Sequence, residues 1–165
     1  MTTIEHLGTE MIQFFLVEKN LHFLTSPDGT FVVPFEAQNH LDRGVRWELL
    51  IEGSNGTILV VRVRSDQRFA DDRRAELHAL CSEWSNEHRW PKVYVHERPT
   101  GTLEIVAEGQ LETAGVGVHQ GLVSKFCEVI GHTGIDFFGW ILGHTVDMST
   151  VISDADLAAL MGEER

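Results

Sequence analysis

The spacing of apolar residues predicts a helix at the start of the chain, over Thr3 to Asn20. Thr2 and Glu5 form a capping box, which is typical of a helix start. The expected buried stripe recurs at intervals of 3, 4 and 3, the spacing of one helix face: Ile4, Leu7, Met11 and Phe14. Three further apolar residues, at positions 15–17, lie outside that stripe.

Two later segments have the same periodicity. The second predicted helix covers residues 70–87 and ends before Pro91, and the third covers residues 118–142. The expected buried stripe of the third helix is Leu122, Phe126, Ile130, Phe137 and Ile141. Gly131, Gly134 and Gly139 also lie in this helix, where glycine is unfavourable. These glycines predict a kink or a close backbone contact.

Short apolar runs joined by turn residues predict antiparallel hairpins between the helices. Pro27-Asp28-Gly29 separates two runs, Asn55-Gly56 separates the next two, and Arg98-Pro99-Thr100-Gly101 separates the last two. Pro34 has no amide hydrogen, so its strand is expected to lie at a sheet edge or to end there.

The predicted order of elements is α-β-β-β-β-α-β-β-α. Because short turns join the strands, the sequence predicts an α+β fold, in which helices pack on one face of a twisted antiparallel sheet of about five to six strands. Residues 1–142 are expected to form a single domain. Residues 143–165 form an acidic tail, expected to be mobile or ordered only against a partner, in which Ser153-Asp154-Ala155-Asp156 predicts the cap of a short helix.

The charge of the chain argues against two classes of binding partner, nucleic acids and membranes. The formal net charge of the 165 residues is −12, whereas nucleic-acid binders usually have a basic surface and anionic membranes attract basic segments. We therefore expect neither partner. The clustered basic residues are interleaved with acidic ones and are predicted to be solvent-exposed ion-pair partners: Arg62, Arg64, Arg68, Arg73 and Arg74 with Asp66, Asp71 and Asp72.

The chain start has no pattern of a signal peptide, and no apolar run is long enough to span a bilayer, so we expect a cytoplasmic protein. Cys81 and Cys127 occupy apolar positions of predicted helices. They are interpreted as buried reduced thiols, and a redox or disulfide role is the alternative.

Two patterns suggest chemistry without establishing it. Glu128, His132 and Asp136 recur every four residues and could bind a metal, but Lys125 and Thr133 beside them favour a solvent-exposed face. Residues 115–121 read GxGxxxG, which resembles a dinucleotide-binding turn. Such a turn needs a parallel βαβ unit, whereas this one follows a hairpin, so a flexible turn is predicted.

No P-loop, HExxH, CxxC or GxSxG motif occurs in the chain. We therefore predict no catalytic, cofactor-binding or metal-binding residues, and no enzyme. A small-molecule or metal-binding sensor or enzyme that uses surface histidines and carboxylates remains the alternative function, as does a purely structural subunit of an assembly.

The aromatic residues exceed what the helix stripes require. They either fill a core or form an exposed apolar patch, which would indicate a dimer or ligand surface. The candidates for protein binding or dimerisation are Trp47, Phe137, Phe138 and Trp140. On the second interpretation the chain is a homodimer that binds a polypeptide.

Two stretches resemble the YbjN family, whose members are often labelled bacterial sensory transduction regulators. Residues 84–95, WSNEHRWPKVYV, resemble its helix-to-strand signature, and residues 116–140 are similar to its closing helix. The resemblance implies a fold similar to type III secretion chaperones, which are usually dimeric and bind extended polypeptides. We therefore expect a non-catalytic, chaperone-like or regulatory protein, in a bacterial stress or signalling pathway, that binds its partner in an apolar groove or as a strand added near Pro34.

Overall fold

The computed structural model describes residues 3–35 and 44–144 and the backbone of residues 152–153. The helices are α1 (Thr9–Glu18), α2 (Arg74–Glu87) and α3 (Gln120–His144), and a 3-10 turn, Asp71–Arg73, precedes α2. The strands are β1 (Leu24–Thr25), β2 (Phe31–Phe35), β3 (Val45–Glu52), β4 (Ile58–Arg64), β5 (Gln67–Arg68), β6 (Lys92–Glu97), β7 (Leu103–Glu112) and β8 (Ile152–Ser153).

Six strands form one antiparallel sheet in the order β1-β2-β3-β4-β7-β6. The predicted α+β fold is confirmed. The two-residue strands β5 and β8 pair with each other and are additional to the predicted order. They are too short to produce an alternating pattern that sequence reasoning could detect.

The core lies between the helices and one face of the sheet. Strand side chains alternate between the two faces, so β3 directs Val45, Trp47 and Leu49 into the core, whereas Arg46 and Glu48 point to the opposite face. Helix α3 crosses the middle of the sheet, in contact with β3, β4 and β7, and α2 packs beside β6. The opposite sheet face is therefore free to hold polar side chains.

Helices α1 and α3 lie side by side and run parallel. Gln120 Nε2 donates to the Met11 carbonyl at 2.9 Å, and Lys19 Nζ lies 3.3 Å from a Glu128 carboxylate oxygen. The residues of each pair are 109 positions apart, so the two helices advance in the same direction.

The prediction for the first helix is wrong at its start. The helix begins at Thr9 rather than Thr3, because Glu5 and Val118 instead exchange two backbone hydrogen bonds of 2.9 and 2.8 Å. The predicted stripe is right for Met11, which is buried, and for Leu7, which packs against the core, and wrong for Ile4 and Phe14, which are exposed. The helix buries Met11, Ile12, Phe15 and Leu16, whereas Phe14 is 54% exposed.

The prediction for α3 is right in its extent and partly wrong in its buried face. Val123 and Cys127 are buried in place of Leu122, which is exposed, and Phe126, which is half-buried. The glycines confirm the expected close contact. A Cβ atom at Gly131 would overlap the indole of Trp47, and one at Gly134 would overlap Val63. Helix and sheet thus approach closely where glycine provides the space.

The three predicted hairpins are confirmed. The Asn55-Gly56 turn is part of a loop over residues 53–57, in which Gly53 and Gly56 have positive φ angles of 92° and 63°. Pro34 and Phe35 of β2 still pair with Arg46 and Val45 of β3. Strand β1 pairs only with Phe31 and Val32, so Pro34 lies on the part of β2 whose outer side pairs with no described strand.

Of the predicted helix cap in the tail, one residue lies within the described part of the chain. Ser153, predicted to cap a short helix, lies in β8, and the other residues of that predicted helix lie outside the described residues. Within the described ranges, no helix has the length and apolar character needed to cross a membrane.

Candidate functional site

The sheet face opposite the helices holds a network of charged side chains. Arg62 and Arg64 alternate on β4, and the neighbouring strand β7 places Glu108 and Glu104 against them. Within the described residues the network contains five arginines and five carboxylates: Arg46, Arg62, Arg64, Arg68 and Arg98 with Glu48, Glu52, Asp66, Glu104 and Glu108. In a chain of net charge −12, five of the 13 basic residues are therefore concentrated on one face.

The prediction that the clustered arginines are solvent-exposed is wrong for β4 and β5. The side chains of Arg62 and Arg64 are 20% exposed, and that of Arg68 is fully buried. The physical reason is that period-2 alternation on a central strand brings each arginine against the acidic side chains of the adjacent strands.

Glu108 accepts hydrogen bonds from three described side chains. It accepts hydrogen bonds from Arg62 Nε at 2.5 Å, Gln110 Nε2 at 2.8 Å and the Tyr94 hydroxyl at 3.2 Å. Burial alone would raise the pKa of Glu108, but the hydrogen bond and charge of Arg62, together with the hydrogen bonds from Gln110 and Tyr94, outweigh burial and lower it. Burial, together with the Glu108 charge, raises the pKa of Tyr94.

Glu104 is the centre of a second cluster, which we call the Glu104 cluster. This carboxylate is 1% exposed and lies 3.2 Å from Arg64, 3.4 Å from Arg98 and 3.5 Å from Arg68, with His96 Nε2 at 4.0 Å. Arg64 also pairs with Glu48 at 3.1 Å. In the part of the chain that the structure describes, Glu104 is thus surrounded by three guanidinium groups, one of which it shares with Glu48.

Strand β5 lies at this cluster, and backbone hydrogen bonds to β7 fix the residue that follows it. Phe69, the next residue, exchanges two backbone hydrogen bonds of 2.8 Å with Leu103 of β7. Arg68 Nη1 donates to the carbonyls of Ser65 at 3.0 Å and Gln67 at 2.8 Å. These bonds fix the backbone of the segment.

The other side of β5 pairs with a strand from the C-terminal tail. Gln67 lies opposite Ser153 and Arg68 lies opposite Ile152, in antiparallel register. Because successive backbone groups of a strand point to opposite sides, the N–H and C=O of Arg68 point away from Leu103 and toward Ile152. The outer side of β5 is thus paired with β8 of the same chain.

The four aromatic candidates are not together at the surface. Trp47 is 2% exposed and packs against Phe35 at a ring distance of 4.7 Å, and Phe137 and Phe138 are fully buried. Trp140 is half-buried, 5.6 Å from the Trp84 ring. The predicted exposed patch is therefore wrong for Trp47, Phe137 and Phe138, because they fill the core. Contact of Trp140 with a partner stays a prediction.

Glu128, His132 and Asp136 on α3 do not converge on a metal site. Glu128 pairs with Lys19 and Lys125, and the hydrogen bond and charge of Lys19 lower the pKa of Glu128. His132 is exposed, with its ring 5.6 Å from that of Trp47. In the parts of the chain that the structure describes, no group of three or more His, Cys, Asp or Glu side chains is placed to hold a metal ion.

The glycine-rich segment and the cysteines agree with their predicted structures. Gly115 and Gly117 have positive φ angles of 76° and 67°, in the turn between β7 and α3, and β7 has only antiparallel neighbours. Cys81 and Cys127 are buried free thiols, and burial raises their pKa values to about 11 and about 12.

Comparison with known proteins identifies the family. Residues 42–143 match the model of the YbjN family, described as "Putative bacterial sensory transduction regulator". The chain belongs to the YbjN family. The resemblance seen in the sequence is thus confirmed, and the family description supports a regulatory role.

A solved structure resembles this YbjN-family chain over nearly its whole length. It is described as "Crystal structure of YbjN, a putative transcription regulator from E. coli". The TM-score is 0.69 at 13% sequence identity, and the alignment covers 92% of this chain and 99% of that chain. At this identity the likeness supports the fold. No curated protein matches the chain.

Sequence reasoning missed both β5 and the Glu104 cluster. One signal was present: Arg62 and Arg64 are two residues apart, and Glu104 and Glu108 are four apart, so each pair shares one face of its strand. The pairing of β5 with β8 left no such signal, because it joins residues that are far apart in the chain.

Proposed function

We propose that this YbjN-family chain is a cytoplasmic, non-catalytic regulatory protein that binds an extended, acidic polypeptide segment as a strand at β5. The observation that supports the proposal is the antiparallel pairing of Gln67 and Arg68 with β8, which shows that this edge of β5 has the geometry of strand pairing. Strand addition is a common mode of peptide recognition, in which backbone hydrogen bonds give affinity and nearby side chains give specificity. The family description supports the regulatory part of the proposal.

Charge supports an acidic ligand. Among the described residues, the guanidinium groups of Arg64, Arg68 and Arg98 all lie within 3.5 Å of the Glu104 carboxylate beside β5. Arg98 is about one third exposed, so it can meet an approaching carboxylate. Electrostatic complementarity of this kind favours association and makes binding sensitive to salt.

The sheet edge near Pro34 is a weaker candidate for strand addition. Proline cannot donate a backbone hydrogen bond, and natural sheets use it to block edge pairing. Strand β5 has no proline, and its segment is already fixed to β7 through Phe69 and Leu103. The chaperone-like mode expected from the sequence is therefore proposed at β5.

A synthetic peptide can test this function. A labelled peptide of residues 148–156, which contains Asp154 and Asp156, is titrated into the full chain while fluorescence anisotropy is measured. We expect saturable binding that weakens as salt increases. A peptide in which both aspartates are lysine, and the protein variant Arg98→Glu with the original peptide, should each bind about tenfold more weakly. Absence of saturable binding at millimolar peptide, both to the original chain and to an Ile152→Pro variant whose β8 cannot pair fully, would refute the function.

We further propose that the chain forms a homodimer through the exposed side of α1. Phe14 and Val17 are 54% and 64% exposed and lie three residues apart, which places them on one helix face. Phe14→Ser/Val17→Ser should sediment as a monomer where the original chain sediments as a dimer. Leu24→Ser, at a 68% exposed apolar position outside α1, is the matched control. A monomeric original chain, or a dimeric double variant, would contradict the proposal.

A further inference from the structure

We infer that β8 is an intramolecular competitor, which occupies the partner's position on β5 and must leave before the polypeptide binds. This inference rests on the function proposed above and adds its regulation. In the structure, Ile152 and Ser153 lie where an added strand would lie, opposite Arg68 and Gln67. One edge cannot pair with two strands on the same side, so the tail and the partner exclude each other.

A short stretch of chain connects β8 to helix α3. Helix α3 ends at His144, and residues 145–151 connect it to β8. Seven residues span at most about 25 Å when fully extended. A tether this short gives an effective concentration in the millimolar range, so even a weak strand can occupy the edge most of the time.

The contact is also small enough to be displaced. The β5-β8 pair consists of two residue pairs, whereas the neighbouring β3-β4 pair in the core of the sheet has seven. Elements with few hydrogen bonds open locally at a low free-energy cost, which is typical of regulatory segments. A partner that forms a longer strand or adds charged contacts can therefore replace β8.

The tail has the chemistry proposed for the partner. Ile152 is β-branched and favours strands, and residues 143–165 contain five acidic residues and one basic residue: Asp147, Asp154, Asp156, Glu163 and Glu164, with Arg165. Both competitors, the tail and the partner, would therefore place an acidic strand beside the arginines of the Glu104 cluster.

The labelled peptide of residues 148–156 tests the competition on full-length chains. Ile152→Pro removes the N–H that faces Arg68, so β8 can no longer pair fully. Its matched control, Ala159→Pro, places the same residue elsewhere in the tail. Since the apparent dissociation constant equals the intrinsic one divided by the fraction of competent protein, we expect Ile152→Pro to bind the peptide at least about tenfold more tightly than the original chain. Ala159→Pro should bind like the original.

The outcomes separate the two proposals. Equal, measurable affinity in all three proteins would overturn the competition and leave strand addition at β5 intact. Absence of binding in all three would overturn the proposed function itself. A measurement on the unsubstituted chain guards against a folding defect. At saturating peptide, the Ile152 amide should exchange with solvent faster while the Arg68 amide stays protected, and an unchanged Ile152 amide would contradict the inference.

Discussion

The backbone of Gly131 in α3 lies directly against the indole ring of Trp47 in β3. A Cβ atom at position 131 would lie 2.5 Å from Cζ2 of Trp47, closer than real side chains approach. Trp47 is 2% exposed and is held by Phe35 on another side, so the ring cannot move away freely. This pair sets how closely the longest helix approaches the sheet.

Gly131→Ala is therefore expected to destabilise the protein even though alanine favours helices. Overpacking of a filled core costs about 1–3 kcal/mol in the free energy of unfolding, which exceeds the helix gain of about 1 kcal/mol at most. Denaturant unfolding followed by tryptophan fluorescence measures the change. Gly139→Ala, in the same helix but with no atom within 4 Å of the new methyl group, is the control and should stabilise by about 0.5–1 kcal/mol. Equal effects at the two positions would disprove the contact.

Phe138→Asp should prevent folding rather than weaken self-association. Phe138 is fully buried beside Phe137, at a ring distance of 5.3 Å, and a carboxylate there would have no water and no described cationic partner. Circular dichroism should show loss of cooperative unfolding. Val116→Asp places the same charge at a 72% exposed position in the turn before α3, outside the proposed dimer face, and should leave the melt unchanged. A folded Phe138→Asp protein would mean that the ring is accessible.

The Arg62–Glu108 pair should make stability depend on acid pH. The pKa of Glu108 is lowered in the folded protein, so near pH 4 the unfolded chain binds more protons than the folded one. The contribution of this carboxylate is fully present above its unfolded pKa of about 4.5 and is lost as pH falls through the lower folded value. Glu108→Gln should lower stability at pH 7 by about 1–3 kcal/mol.

Urea unfolding at a series of pH values tests this dependence. The difference between the original protein and Glu108→Gln should begin to shrink below about pH 4.5 and disappear only at the lower pH where Glu108 is also protonated in the folded protein. Glu87→Gln, at an exposed helix end, is the control and should follow the original protein throughout. A constant difference from pH 7 to pH 3 would exclude the charge of Glu108 as the cause.

The two cysteines should be unreactive in the native state. Burial raises the pKa of Cys81 to about 11 and that of Cys127 to about 12, so at pH 8 the thiolate fraction of each is on the order of one thousandth or less. A thiol reagent such as dithionitrobenzoate should react slowly with the folded protein and rapidly with both thiols in guanidinium. Rapid labelling of the native chain would favour the redox role left open by the sequence.

Local signals in the sequence were sufficient for most of the fold. The turn at Pro27-Asp28-Gly29 and that at Arg98-Pro99-Thr100-Gly101 each lie between the predicted strands, because proline and glycine restrict the backbone wherever they occur. Pro91 likewise predicts that α2 ends before it, and the helix ends at Glu87. The helix start near Thr3 failed because a capping box is a local preference, and the pairing of Glu5 with Val118 overrides it.

The candidate site depends on contacts between distant parts of the chain. The sequence contains many aromatic residues, but it does not show which of them are exposed. Whether Trp47 and Phe138 are buried depends on which helix face packs against the sheet, and this depends on the packing of the whole core. The charges of Arg64 and Glu104 were equally visible, 40 positions apart, yet only the pairing of β4 with β7 brings them together.

The sequence by itself therefore determined the family, the α+β class, the hairpins and the buried thiols, because each depends on residues close together in the chain or on strong apolar periodicity. Only the tertiary structure decided that the arginines form a network on the sheet face opposite the helices, that Trp47, Phe137 and Phe138 fill the core, and that β8 pairs with β5. The reason is that strand pairing and helix packing join residues across long sequence separations, where local propensity contains no information about the partner.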